Sequence, residues 1–135
     1  VLPYIEERAQ EEGLSEQISA LEGDLFADSW PGDFDAVLLS QILHDWSDEE
    51  AVRLVRRAFQ ALAPGGTLLI HEKLVTQDGG PLANGLVNLD MLVWTEGRQW
   101  SADELEALLK DAGFESVDVT ATYGYWSLVA GTKPS

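Results

Sequence analysis

The sequence predicts an α/β fold: a mostly parallel sheet with helices on its faces, ending in an antiparallel hairpin. Three observations point there. Apolar strand-like runs at Phe34–Ser40 and Thr67–Val75 alternate with amphipathic helical stretches. Glycine and proline close those stretches at Gly13, at Pro64-Gly65-Gly66 and at Gly113. The last two strand-like runs, Phe114–Thr122 and Tyr125–Gly131, are joined only by Tyr123-Gly124, which leaves no room for a crossover helix and requires one antiparallel strand.

The elements follow in order. Leu2, Ile5 and Ala9 share one helical face near the start, and Gly13 ends that helix. Gln17–Glu22 alternates weakly and runs into Gly23-Asp24-Leu25-Phe26, which reads as a short strand and a turn. Pro31-Gly32-Asp33 is a loop signal, and Phe34–Ser40 is the next strand. The stretch Leu38–Asp48 changes abruptly from apolar residues to His44, Asp45, Trp46 and Ser47. Functional groups of an open α/β sheet gather beyond the carboxyl ends of its strands, which makes His44 a candidate site residue. Ser47 with Glu50 reads as a capping box opening a helix, with Ala51, Val52, Val55, Ala58, Phe59 and Leu62 on one face.

Pro64-Gly65-Gly66 stops this helix, and Thr67–Val75 carries Glu72 near its carboxyl end. Leu38–Ser40 and Leu68–Ile70 read as strands buried on both faces. Leu82–Thr95 has apolar residues around so broad an arc that burial on two sides is expected. Ser101 and Glu104 form a second capping box, opening a helix through Leu105, Leu108 and Leu109.

Composition narrows the chemistry. The 135 residues are 45% hydrophobic, enough for one core, with no apolar run near the ~20 residues of a membrane span and no signal-peptide pattern. A cytoplasmic protein fits best. No cysteine excludes disulfides, zinc–thiolate sites and a cysteine nucleophile, and two histidines make a histidine-rich metal centre a poor fit. A net charge of -16, from 8 basic and 24 acidic residues, argues against nucleic acid or an anionic membrane as partner.

Five segments carry a family likeness: Gly23-Asp24-Leu25-Phe26, Leu43-His44-Asp45-Trp46-Ser47-Asp48-Glu49, Ala63-Pro64-Gly65-Gly66-Thr67-Leu68-Leu69-Ile70, Leu89-Asp90-Met91-Leu92 and Asp111-Ala112-Gly113-Phe114. In this order and spacing the chain resembles the S-adenosylmethionine-dependent O-methyltransferases of plant phenolics and bacterial secondary metabolites. The resemblance implies a Rossmann-like methyltransferase sheet, S-adenosylmethionine as cofactor and a small-molecule hydroxyl as substrate. It implies His44 as general base, and an imidazole titrating near ~6.5 suits that task on physical grounds as well. Glu72 matches a carboxylate that flanks and orients the histidine. Asp24, Leu25, Ser40 and Trp46 match cofactor contacts. Asp45, Met91, Trp94 and Gln99 match the substrate side, and Gln99 stands where many relatives carry a second glutamate beside the histidine. No metal is expected.

The glycine-rich turn and the ribose-binding acid of such enzymes are not in these residues. Residues 1–135 are therefore expected to be the C-terminal part of one methyltransferase domain, with the first strands missing, in a protein that dimerises. An alternative is a noncatalytic module or one half of a split enzyme. A nicotinamide reductase lacks support, since neither its glycine pattern nor a Tyr-x-x-x-Lys pair is present.

Overall fold

The structure, a computed structural model, describes residues 2–135. Helix α1 spans Leu2–Glu11, strand β1 Phe34–Ser40, α2 Asp48–Ala61, β2 Leu62–Glu72, α3 Leu82–Trp94, α4 Ala102–Asp111, β3 Glu115–Ala121 and β4 Ser127–Thr132. A single turn of 3-10 helix, Leu43–Asp45, lies between β1 and α2. The strands form one sheet in the order β1-β2-β4-β3, with β1 parallel to β2 and β4 antiparallel to both of its neighbours. The expected α/β fold with a terminal antiparallel hairpin is what the chain adopts, and among the described strands the sheet is mixed, with the β1–β2 pairing parallel.

Helices α2 and α4 cover one face of this sheet. Leu54, Val55, Leu105 and Leu109 are fully buried against Leu68, Ile70 and Val129, and each such side chain contributes roughly 1.5–3 kcal/mol through loss of contact with water. Both helices start at serine caps. The Ser101 hydroxyl accepts from the Glu104 backbone N–H while Glu104 accepts from the Ser101 N–H, a complete capping box. At Ser47 only half the box forms. Its hydroxyl accepts from Glu50 N–H at 3.3 Å and donates to the Glu50 carboxylate at 3.1 Å.

Four expectations are corrected. No strand forms across residues 17–26: Asp24 closes a turn there, its Oδ1 accepting from the N–H groups of Phe26 and Ala27 at 2.7 and 2.9 Å. Strand β2 begins earlier than Thr67 and ends at Glu72 rather than Val75, where its partner β4 also runs out. Beyond that point the backbone bonds elsewhere, with Val75 N–H donating to the Trp100 carbonyl. Strand β1 is buried on one face only. Leu39 is 5% exposed and Leu38 is 60% exposed, because successive residues point to opposite faces and α2 and α4 cover just one of them. Finally, α3 is not buried on two sides; only Asn84 is buried, while Leu86, Leu89, Leu92 and Trp94 are exposed.

Candidate active site

The site begins where β1 ends. Gln41 takes φ +55° and donates its N–H to the His71 carbonyl, which turns the chain off the sheet into the Leu43–Asp45 turn. Glu72, at the adjacent end of β2, fixes that turn. Its Oε1 accepts from the N–H groups of Ile42 and Leu43 at 3.1 and 3.2 Å, and its Oε2 lies 3.0 Å from His44 Nδ1. Parallel pairing of β1 with β2 sets this meeting, since Ser40 is in register with His71 and the two strands end side by side.

His44, Glu72 and Gln99 are 7%, 0% and 1% exposed. Gln99 arrives from the segment between α3 and α4, with its side-chain amide 2.8 Å from His44 Nδ1. That approach depends on Gly97, where an added Cβ would fall on the His44 carbonyl and within 2.7 Å of Trp46 N. Asn88 of α3 accepts the Gln99 backbone N–H at 2.7 Å. Arg98 ties the same segment to α2 and α4 through Asp48 at 3.0 Å and Glu104 at 3.0 Å, and stacks over Trp100.

Charge fixes the tautomer. A carboxylate at Nδ1 favours a proton on Nδ1, and an amide NH2 cannot donate to an N–H. The consistent arrangement turns the Gln99 amide over, so that its oxygen accepts the Nδ1 proton beside the charge of Glu72. The Nδ1–Glu72 contact is not an aligned hydrogen bond, and Glu72 Oε2 has no other partner among the described residues, so it acts mainly as a charge. Nε2 is then left with a free lone pair on the side of Asp45, whose half-exposed carboxylate lies 3.5 Å away. Burial pushes against the charged imidazolium and is the largest single influence. Contact with Glu72, its charge, the charge of Asp45 and the bond to Gln99 together outweigh it, so the His44 pKa is raised above its ordinary value.

A second feature lies beside β1. A cleft of about 430 Å³ is lined by Leu21, Asp24, Leu25, Trp30 and Leu38 among others. Backbone N–H bonds from Phe26 and then Ala27 hold the Asp24 carboxyl below the usual carboxylate range, so it is charged on the cleft wall.

The predicted residues thus separate into groups. His44, Glu72, Gln99 and Asp45 come together, as do Asp24 and Leu25. Ser40 turns its hydroxyl to His71 Nδ1 at 3.1 Å, and Trp46 packs edge-on against Phe26 at 4.8 Å between ring centroids. Met91 is half-buried and Trp94 is 82% exposed; α3 reaches the histidine cluster through Asn88 rather than through either of them. Sequence reasoning passed over Asn88, Gly97 and Arg98. Only Gly97 left a signal, as a glycine two positions before the proposed site residue Gln99.

A sheet ending in an antiparallel hairpin, with a histidine–carboxylate pair beyond its first strand and a cleft beside it, defines a methyltransferase-type α/β protein. The O-methyltransferase domain profile matches residues 2–115, and the chain belongs to that family. Acetylserotonin O-methyltransferase of Bos taurus is 42% identical over 119 residues, covering 87% of this chain and 34% of that protein. Among solved structures, human N-acetylserotonin methyltransferase in complex with SAM superposes with TM-score 0.83 at 36% identity, over 89% of this chain and 35% of that one. The O-methyltransferase family 2 protein of Planctomyces limnophilus, in complex with apigenin, gives TM-score 0.92 at 35% identity, over 98% of this chain and 40% of that one. The chain spans about a third of the length of the curated relatives it matches.

Proposed function

We propose that the protein containing this chain transfers a methyl group from S-adenosylmethionine to a hydroxyl of a hydrophobic, aromatic small molecule, with His44 as general base. The observation that carries this reading is the buried imidazole whose Nδ1 is held by Glu72 and Gln99 and whose Nε2 is left on the side of the half-exposed Asp45 carboxylate. Such a group can take a proton only at Nε2. Glu72 stabilises the resulting imidazolium where water cannot, and Gln99 keeps the ring from rotating.

The cofactor supplies, when bound, a methyl group already activated on a sulfonium sulfur. The cleft beside β1 fits its adenosine end, since exposed Leu21, Leu25 and Leu38 offer apolar contact and Asp24 offers a charged acceptor whose Oδ1 is fixed by its own turn. In this reading Leu25 and Asp24 hold that end, and Ser40 and Trp46 are assigned to the same cofactor by the family resemblance rather than by the lining of the cleft. The exposed apolar side chains of α3, with Met91 and Trp94, form one wall for the acceptor, and Asp45 stands beside the hydroxyl to be deprotonated. A homodimer in the cytoplasm, with no nucleic acid or membrane partner, completes the reading; the charge of -16 supports its last part.

The test is calorimetric titration of the complete protein with S-adenosylhomocysteine, followed by a screen of phenolic acceptors for methyl transfer by mass spectrometry. Micromolar binding with methylation at oxygen supports the reading. Absence of binding by a folded protein contradicts it.

A further inference from the structure

We propose that Asn88 is a positioning residue for His44, acting through Gln99, so that the helix carrying the proposed acceptor wall also sets the orientation of the base. The inference rests on the methyltransferase reading above and deepens it.

The geometry is a short chain of contacts across three elements. Asn88 Oδ1 accepts the Gln99 backbone N–H at 2.7 Å, the Gln99 side chain lies 2.8 Å from His44 Nδ1, and His44 Nδ1 lies 3.0 Å from Glu72. Gln99 is 1% exposed and its amide has no second partner, so the placement of its side chain depends on where its backbone is held. Tethers on both sides hold it. Arg98, through Asp48 and Glu104, anchors the segment to α2 and α4. The Trp100 carbonyl accepts from Val75 N–H at 3.0 Å. Asn88 supplies the hold from α3.

Met91 lies one turn along α3 from Asn88, on the same side of the helix. Helix α3 is otherwise anchored near its start, where the buried Asn84 donates to the Leu74 and Tyr125 carbonyls, and most of its apolar side chains are exposed. An acceptor settling on α3 therefore presses on the element that holds Gln99 in line with His44. Loss of the Asn88 bond leaves His44 and Glu72 in place but frees Gln99 to leave Nδ1, so that the imidazole loses one of its two restraints. Gly97 transmits this directly, because its backbone lies flush against the His44 carbonyl with no side chain between them.

The experiment compares Asn88→Ala and Asn88→Asp in the complete protein; the second keeps an acceptor oxygen. Asn88→Ala is expected to lower kcat about tenfold, the effect of one lost hydrogen bond on a buried site, with unchanged affinity for S-adenosylhomocysteine. Asn88→Asp is expected to recover most of that rate. A readout independent of turnover is the 15N spectrum of the His44 ring, which distinguishes the Nδ1–H tautomer; Asn88→Ala should mix the tautomers and Asn88→Asp should restore one. An unchanged ring spectrum and kcat in Asn88→Ala overturns the proposal, as does a loss of cofactor binding that accompanies the loss of rate, since Asn88 would then support the fold alone. If the wild type transfers no methyl group, the functional reading fails. The ring spectrum still decides whether Asn88 orders His44.

Discussion

Replacing Glu72 by Gln removes one charge from a fully buried position and places an amide NH2 where Oε2 faces His44 Nδ1. Oε1 still accepts from Ile42 and Leu43, which lie 3.1 and 3.2 Å away, so the Leu43–Asp45 turn is retained. What is lost is the negative charge 3.0 Å from His44 Nδ1. An opposite charge this close stabilises the imidazolium by about 1.5–3 kcal/mol, and that support is greatest when His44 carries the substrate proton, so turnover should fall about tenfold to a hundredfold. The pH dependence gives an independent check. The His44 pKa is raised, so activity in the wild type should climb as pH rises through a value above that of an ordinary histidine, where the base becomes neutral. The Glu72→Gln profile should move toward lower pH. Stability follows the opposite course: the favourable contacts of the imidazolium are fully present below the unfolded histidine value and disappear as pH rises through the raised folded one. Steady-state rates from about pH 5 to about pH 9, with urea unfolding over the same range, measure both. A variant with wild-type turnover and an unmoved profile refutes the assignment of Glu72.

Three other substitutions test separate parts of the account. Asp24→Ala should weaken S-adenosylhomocysteine binding about tenfold to a hundredfold by calorimetry, with kcat at saturating cofactor little changed. Gly97→Ala places a methyl group on the His44 backbone, which cannot yield as a side-chain tip could, and should cost about 1–3 kcal/mol in urea unfolding. Ser101→Ala removes a complete capping box and should cost about 1 kcal/mol in the same assay, with no change in the pH profile.

Legibility in the sequence followed the range of the forces involved. Strand β1 and the caps at Ser47 and Ser101 are written in adjacent residues, and each is found where local pattern places it. His44 was legible because it follows an apolar run, and Glu72 as a carboxylate near the end of a strand-like one that the family resemblance pairs with the histidine; parallel pairing of β1 and β2 then brings the two together. Burial was less legible. Leu38 and the apolar arc of α3 have core composition, yet hydrophobicity states what a side chain prefers and not whether another layer is there to cover it. The weak alternation before Gly23 failed as a strand for a related reason: a strand exists only beside a neighbour, and Asp24 satisfies the local N–H groups in a turn instead. Asn88 and Arg98 were illegible because their roles arise from contacts to Gln99, Asp48 and Glu104 that depend on how α3 and α4 are placed.

The central claim is that His44 Nε2 removes the proton from the acceptor hydroxyl. His44→Gln in the complete protein keeps a hydrogen-bonding side chain in the same space but cannot accept that proton near neutral pH. Turnover at saturating substrate is expected to fall by roughly 100-fold or more while the calorimetric dissociation constant for S-adenosylhomocysteine stays within about twofold of wild type. Full turnover in this variant, with the fold and cofactor binding intact, would contradict the account.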